Sequence, residues 1–239
     1  MIFGAILAGG KGTRMNISDI PKQFMMLGNK PIIIHTLEKV LLSDKLDVIY
    51  LGIHEDWISY MEDIIKKYLD IKTNKEINIV AGGKDSNGTV MNIIIDIEEK
   101  YNISDSDIIL THDAVRPFIN SQIIVDNIEA MKEYDACDTV VPAIDTIVVS
   151  EDGKILSDIP NRKYMYQGQT PQTFKIKKLK QLYMELSESE KEILTDACKI
   201  FYIKGQKVYM VKGDISNLKI TTPVDYKIAN SMLGGKNFD

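Results

Sequence analysis

Short apolar runs alternate with longer amphipathic segments from the start of this chain to about residue 143, and that rhythm confines it to strands wrapped by helices. The apolar runs at residues 2–7, 48–53, 77–80, 108–111 and 140–143 predict buried strands. Between them, residues 31–42, 56–69, 89–101 and 122–134 carry helical periodicity. Successive strand–helix units close as right-handed crossovers, so the chain is expected to form an α/β fold with a mostly parallel sheet covered on both faces. Ligands of such sheets bind at the carboxyl ends of strands. Three glycine-rich or polar loops fall at that edge, at residues 8–15, 81–87 and 112–116.

The rhythm breaks after residue 145. A short strand at 146–150, an Asp152-Gly153 turn, a second strand near 154–159 and irregular chain to 169 predict a projecting β-arm. A strand near 208–212 and a helix near 223–233 follow. No repeat, low-complexity tract or linker divides the 239 residues, so a single domain with an arm at about 145–169 is expected.

A net charge of -5 argues against a nucleic-acid partner, while a few cations gathered in a cleft still suit a small anionic substrate. Cys137 and Cys198 form no CxxC pair and read as buried small apolar residues. No stretch reaches the roughly 20 apolar residues that span a bilayer, and the first apolar run leads into glycines instead of a cleavage site. A cytoplasmic setting without a membrane partner is expected.

The chemistry is concentrated in spaced motifs. Leu7-Ala8-Gly9-Gly10-Lys11-Gly12-Thr13-Arg14-Met15, followed by Pro21-Lys22-Gln23-Phe24, lets backbone N–H groups approach phosphate oxygens while Arg14 and Lys22 neutralise charge. It has neither the GK[ST] ending of a Walker loop nor a GxGxxG dinucleotide fingerprint. In Thr111-His112-Asp113-Ala114-Val115-Arg116-Pro117, Asp113 sits where a strand-end carboxylate holds magnesium or a hydroxyl. Pairing of Arg116 with Asp113 is the structural alternative, and His112 reads as a satisfied structural histidine, not a metal ligand. The stretch from Ala81 to Thr89 suits close reading of a flat base by backbone groups, or is a turn with Thr89 as helix cap. Lys219, between apolar neighbours in Asn217-Leu218-Lys219-Ile220-Thr221-Thr222-Pro223, reads as a site cation, and Thr222 as the cap of the following helix.

Together, LAGGxGxRM, PKQ, HDAxRP, QTPQ and NxKxTTP resemble the cytidylyltransferase family that contains the methylerythritol-phosphate and ribitol-5-phosphate enzymes, over nearly the whole chain. The resemblance implies a Rossmann-like three-layer nucleotidyltransferase fold, magnesium (Mg2+) dependence, and a homodimer whose arms reach into each other's sites. By the same resemblance Arg14, Lys22 and Lys219 are the catalytic cations. CTP falls to those three together with Leu7, Ala8, Gly9, Gly10, Gly12, Thr13, Gly82, Gly83, Thr89 and Asp113, with Asp113 also at the metal. Arg116, Thr146 and Arg162 fall on acceptor-binding positions.

Within the family, several features lean toward ribitol-5-phosphate enzymes. Ser86 stands where methylerythritol-phosphate enzymes usually carry Arg, and Thr89 where they usually carry Ser. Asp145-Thr146 leads into Ile147-Val148-Val149 instead of an early lysine, and Arg162 into Lys163-Tyr164 instead of Leu-Trp. The implied reaction moves CMP from CTP to D-ribitol 5-phosphate, giving CDP-ribitol and pyrophosphate, and by analogy feeds a teichoic-acid or capsule-type polymer. A reductase that makes ribitol phosphate is an expected associate. Methylerythritol phosphate is the alternative acceptor, and a non-catalytic nucleotide-binding regulatory subunit the alternative of another class.

Overall fold

The computed structural model describes residues 1–10 and 20–234, so Gly12, Thr13 and Arg14 lie outside the described residues. Its centre is β1 (Ile2–Ala8), flanked in parallel by β4 (Val48–Ile53) and β6 (Ile108–Asp113). All six residues of β4 are buried, as a strand covered on both faces requires. β5 (Glu76–Ala81) extends the sheet beyond β4. On the other side come β8 (Tyr166–Lys175), β7 (Ala136–Pro142) and β9 (Tyr209–Lys212), giving the order β5-β4-β1-β6-β8-β7-β9. β8 runs antiparallel to both its neighbours, and every other pairing in this sheet is parallel. β2 (Met26–Leu27) and β3 (Lys30–Pro31) form a separate two-stranded hairpin.

Side chains alternate between faces along each strand, and two apolar cores result. Ile6, Ile49, Leu51 and Leu110 face α1 (Ile32–Leu41), α2 (Ile58–Tyr68) and α4 (Ser121–Ala130). Phe3, Tyr50, Ile109 and Phe174 face α3 (Ser86–Lys100), α5 (Ile176–Met184) and α7 (Cys198–Ile203). This is the expected three-layer arrangement. The short α6 (Glu188–Glu192) starts from a capping box in which Ser187 and Glu190 bond reciprocally. A smaller core of Met25, Leu27, Ile32, Val115, Ile220 and Ala229 lies beneath α8 (Pro223–Gly234). Thr222 caps that helix, accepting from Asp225 N at 3.2 Å.

The arm differs from its expectation. The Asp152-Gly153 turn forms, with Gly153 at φ 70° and Asp152 Oδ1 accepting from Lys154 N and Ile155 N, both at 2.8 Å. Its two strands do not. The pairing reduces to one isolated bridge, Val149 with Asp158, because neither face of the ribbon packs on its own chain. β8, α5, α6 and α7 are structure that residue patterning leaves unassigned. α3 begins at Ser86, earlier than periodicity predicts, since Asp85 and not Thr89 is its cap. Among the described residues no helix is long and apolar enough to cross a membrane.

Candidate functional site

The described parts of the three loops predicted at the carboxyl edge converge on one cleft. Its wall contains Leu7, Ala8, Gly9 and Gly10 from the end of β1, Lys22 and Gln23, Lys84 to Ser86 with Thr89, Asp113, and Lys219. Gly82 and Gly9 pass backbone to backbone, so that a Cβ on Gly82 would lie 3.2 Å from Gly9 Cα. Gly83 is tighter still: a Cβ there would stand 2.5 Å from the carbonyl carbon of Gly88. Glycine is required at that crossing.

Thr89 is 1% exposed and braces this loop from inside. Its hydroxyl donates to Asp85 O at 2.8 Å and accepts from Gly83 N at 3.0 Å. Both capacities of the oxygen are therefore used within the loop.

A role that residue type alone does not disclose belongs to Gln23. Its neighbour Lys22 opens a short 3-10 turn at the cleft wall, and Gln23 reaches back with Nε2 to Ala8 O at 2.9 Å and Gly10 O at 3.3 Å. In a trans peptide the N–H points opposite to the C=O. Holding Ala8 O from one side therefore turns Gly9 N–H the other way. The spacing of PKQ from the glycine motif is the sequence signal for this brace.

Asp113 ends β6 and gathers two cations on one oxygen: Arg116 Nε and Lys219 Nζ each lie 3.0 Å from Oδ2. Burial pushes the Asp113 carboxyl up, but Lys219 and Arg116 outweigh it and hold it below the usual carboxylate range. The two cations differ in setting. Arg116 is 7% exposed, and its Nη1 also donates to Asn217 O at 2.8 Å, so the structural pairing open in the sequence is formed. Lys219 is much more open, at 42% of its side chain. Its segment is held beside the Asp113 loop by Ile220 N donating to Val115 O at 2.9 Å. Asn217, fully buried, ties the same segment to Thr170 O at 2.8 Å. His112 is structural: it is fully buried, bonded to Arg116 O and the Thr170 hydroxyl, and burial pushes its pKa to about 4.

A second cavity adjoins the first and shares Leu7, Ser86, Asp113 and Lys219 with it. Arg116, Thr111, Gln169, Gln172, Thr195 and Asp196 are among its walls. Thr195 and Asp196 lie outside the motifs read in the sequence; Asp196 accepts from Lys199 N at 3.0 Å at the start of α7. Thr146 and Arg162 line neither cavity. Both are exposed on the arm, where Arg162 Nη1 donates to Ile144 O at 2.7 Å.

Glycine loops, cations and a strand-end aspartate at the carboxyl edge of a three-layer α/β sheet define a nucleotidyltransferase-type site. The chain belongs to the family described as IspD, 2-C-methyl-D-erythritol 4-phosphate cytidylyltransferase, whose model it matches over residues 2–235. It is 54% identical over 233 residues to proteins named ribitol-5-phosphate cytidylyltransferase from two strains of Streptococcus pneumoniae, covering 98% of this chain and 99% of each relative. Among solved structures it resembles 4-diphosphocytidyl-2C-methyl-D-erythritol synthase from Anaerococcus prevotii, with a TM-score of 0.79, 28% identity, and coverage of 98% of this chain and 99% of that one. The 2-C-methyl-D-erythritol 4-phosphate cytidylyltransferase of Francisella tularensis matches at a TM-score of 0.75 and 26% identity, covering 96% of this chain and 99% of that one.

Proposed function

We propose that this protein transfers CMP from CTP to D-ribitol 5-phosphate, releasing pyrophosphate and giving CDP-ribitol for a teichoic-acid or capsule-type polymer. The observation that carries the reading is that Asp113 and Lys219 border both cavities, so a nucleotide in one and a phosphorylated acceptor in the other would meet beside Lys219. Support for ribitol phosphate as acceptor comes from the 54% identity to enzymes named for it, against 28% and 26% for the methylerythritol-type structures.

An oxygen of the acceptor phosphate attacks the α-phosphorus of CTP in line, and the bond from that phosphorus to the bridging oxygen of pyrophosphate breaks. A phosphate monoester has a second pKa near ~6 and is already largely dianionic at neutral pH, so no strong base is needed. The task is to bring two anions together. Lys22, Lys219 and Arg14 screen their repulsion, and Gly9 N–H, directed away from Gln23, offers a phosphate donor. Gly82, Gly83 and Thr89 shape the wall assigned to cytosine. Arg116, on the wall of the second cavity, contributes charge to the acceptor side.

Magnesium is the proposed cofactor. Asp113, on the wall of both cavities, is the carboxylate that would hold it beside the phosphates, and magnesium ordinarily takes few protein carboxylates together with phosphate oxygens and water. Bound there with the nucleotide, it supplies neutralisation of phosphate charge.

The arm supports a homodimer as the working form. Ile144, Ile155 and Tyr164 are 65%, 72% and 68% exposed, and Arg162 and Thr146 sit among them, outside their own chain's cavities. Crossing to a second copy would bury those side chains and carry Arg162 to the partner's acceptor. A panel of polyol phosphates incubated with CTP and magnesium, read by pyrophosphate release and product mass, tests the whole reading. CDP-ribitol is expected as the preferred product; methylerythritol phosphate as the better acceptor would replace this assignment, and no turnover with any acceptor would leave a nucleotide-binding subunit.

A further inference from the structure

On the α3 side of the sheet, Phe3, Ile109, Phe174 and Ala136 are cross-strand neighbours and all belong to the apolar core. Two residues nearer the loop edge, the next row on that face is Ala5, Thr111, Gln172 and Asp138. The face changes from apolar to polar within one step, directly under the second cavity, which Thr111 and Gln172 line. Such a change beneath helices is costly unless the polar groups are used.

Within this row Gln172, 4% exposed, donates Nε2 to Asp138 Oδ1 at 3.0 Å. Thr111 donates its hydroxyl to Gln172 O at 3.1 Å. With its amide nitrogen committed, Gln172 keeps its side-chain oxygen as an acceptor. Asp138 is bonded to the Gln172 amide and, among the described residues, forms no ion pair, and burial, joined by nearby Asp196, pushes its carboxyl up to about 6. Gly168, a cavity residue, stands beside the carboxylate: a Cβ there would lie in ordinary contact, 3.6 Å from Asp138 Oδ2. Gln172 lines the cavity and Asp138 stands immediately behind it and Gly168, so an amide oxygen at the wall with a carboxylate beside it calls for a ligand rich in hydroxyl donors.

We propose that Asp138 and Gln172 form a specificity-determining pair that accepts hydrogen bonds from the hydroxyls of the acceptor's polyol chain. This rests on the acceptor reading above and deepens it. An unbranched chain with a hydroxyl on every free carbon satisfies both acceptors. A methyl branch set against them supplies no donor and leaves the half-buried Asp138 Oδ2 and the Gln172 side-chain oxygen without one, which is how a polar site rejects an analogue.

The test is steady-state kinetics with CTP and either D-ribitol 5-phosphate or methylerythritol phosphate, on the wild type, Asp138→Asn and Gln172→Met. Each variant is expected to raise KM for D-ribitol 5-phosphate about 10-fold to 100-fold, the scale of one hydrogen bond to a charged group, with KM for CTP held within about 2-fold. The preference for the ribitol compound should narrow by a similar factor. With a wild type active on D-ribitol 5-phosphate, an unchanged acceptor KM, or an equal rise in KM for CTP, defeats the pair alone. A wild type that uses neither acceptor defeats the functional reading and this inference together. Should Asp138→Asn fail to fold, Gln172→Met decides by the same criterion.

Discussion

The nucleotide cleft and the arm use their polar and apolar groups in opposite ways. In the cleft, Gln23, Thr89 and Asp113 are bonded within the chain and hold the loops in place. On the arm, large apolar side chains face outward and only one bridge pairs the two limbs. One region is held by bonds within its own chain, whereas the other leaves its apolar side chains uncovered by the described residues. Preorganised charge belongs to the first and induced order to the second.

Removing charge from the cleft should have the largest effect. Lys22→Ala and Arg14→Ala are each expected to lower turnover about 10²-fold to 10³-fold, the usual loss for one preorganised group, with thermal stability nearly unchanged. Near-normal turnover in either variant would take that residue out of the mechanism. Gly83→Ala should cost stability as well, roughly 1–3 kcal/mol for forcing a methyl into a packed backbone crossing, and denaturant melts would register it. An unaffected melt would mean the loop yields, and the cleft is less rigid than its bonds imply.

The arm should respond differently. Arg162→Ala is expected to raise the acceptor KM about 10-fold, as for one charge-assisted contact, while leaving CTP binding and stability alone. Mixing Arg162→Ala with Lys22→Ala chains should restore activity, because each mixed dimer holds one site with both groups. Demonstrated subunit exchange without recovery would return the arm to its own chain.

The smallest effect concerns pH. His112 has its folded pKa depressed, so its stabilisation is complete above about 6.5 and is lost as pH falls toward about 4. Asp138 has a raised pKa, so it favours the fold below its unfolded value of 3.8 and loses that contribution as pH rises through about 6. The two oppose each other between about 4 and 6. Asp138→Asn should therefore steepen the loss of thermal stability on acidification across that window. A flatter profile would show that one of the two groups is more hydrated than its burial indicates.

Legibility in the sequence followed burial. β1, β4 and β6 are covered on both faces, so their apolar runs announce them, and the loops that follow them were placed at the cleft edge from sequence. Lys22, Asp113 and Lys219 come together as their motifs predict. β8 stayed hidden because Gln169, Gln172 and Pro171 interrupt its pattern, and those polar residues now line the second cavity or lie beside it. The arm misled in the other direction: alternating apolar residues read as strands, yet alternation makes a ladder only where a surface receives it. Asp138 carried no signal because a lone aspartate inside an apolar run looks like a solvent-facing position.

The reversed direction of β8 has a topological consequence. β7 ends at the same edge of the sheet as the site, and β8, running backward, begins at that edge. The connection between them never has to cross to the far side, so whatever length is inserted there emerges at the mouth of the second cavity. Had β8 run with its neighbours, the link would have been a crossover over a sheet face, and an insertion would have grown over a helix layer instead. One antiparallel strand thus makes the rim of the site the place where this fold can gain or lose sequence freely, and lets a segment built there evolve a new acceptor contact without disturbing the nucleotide loops.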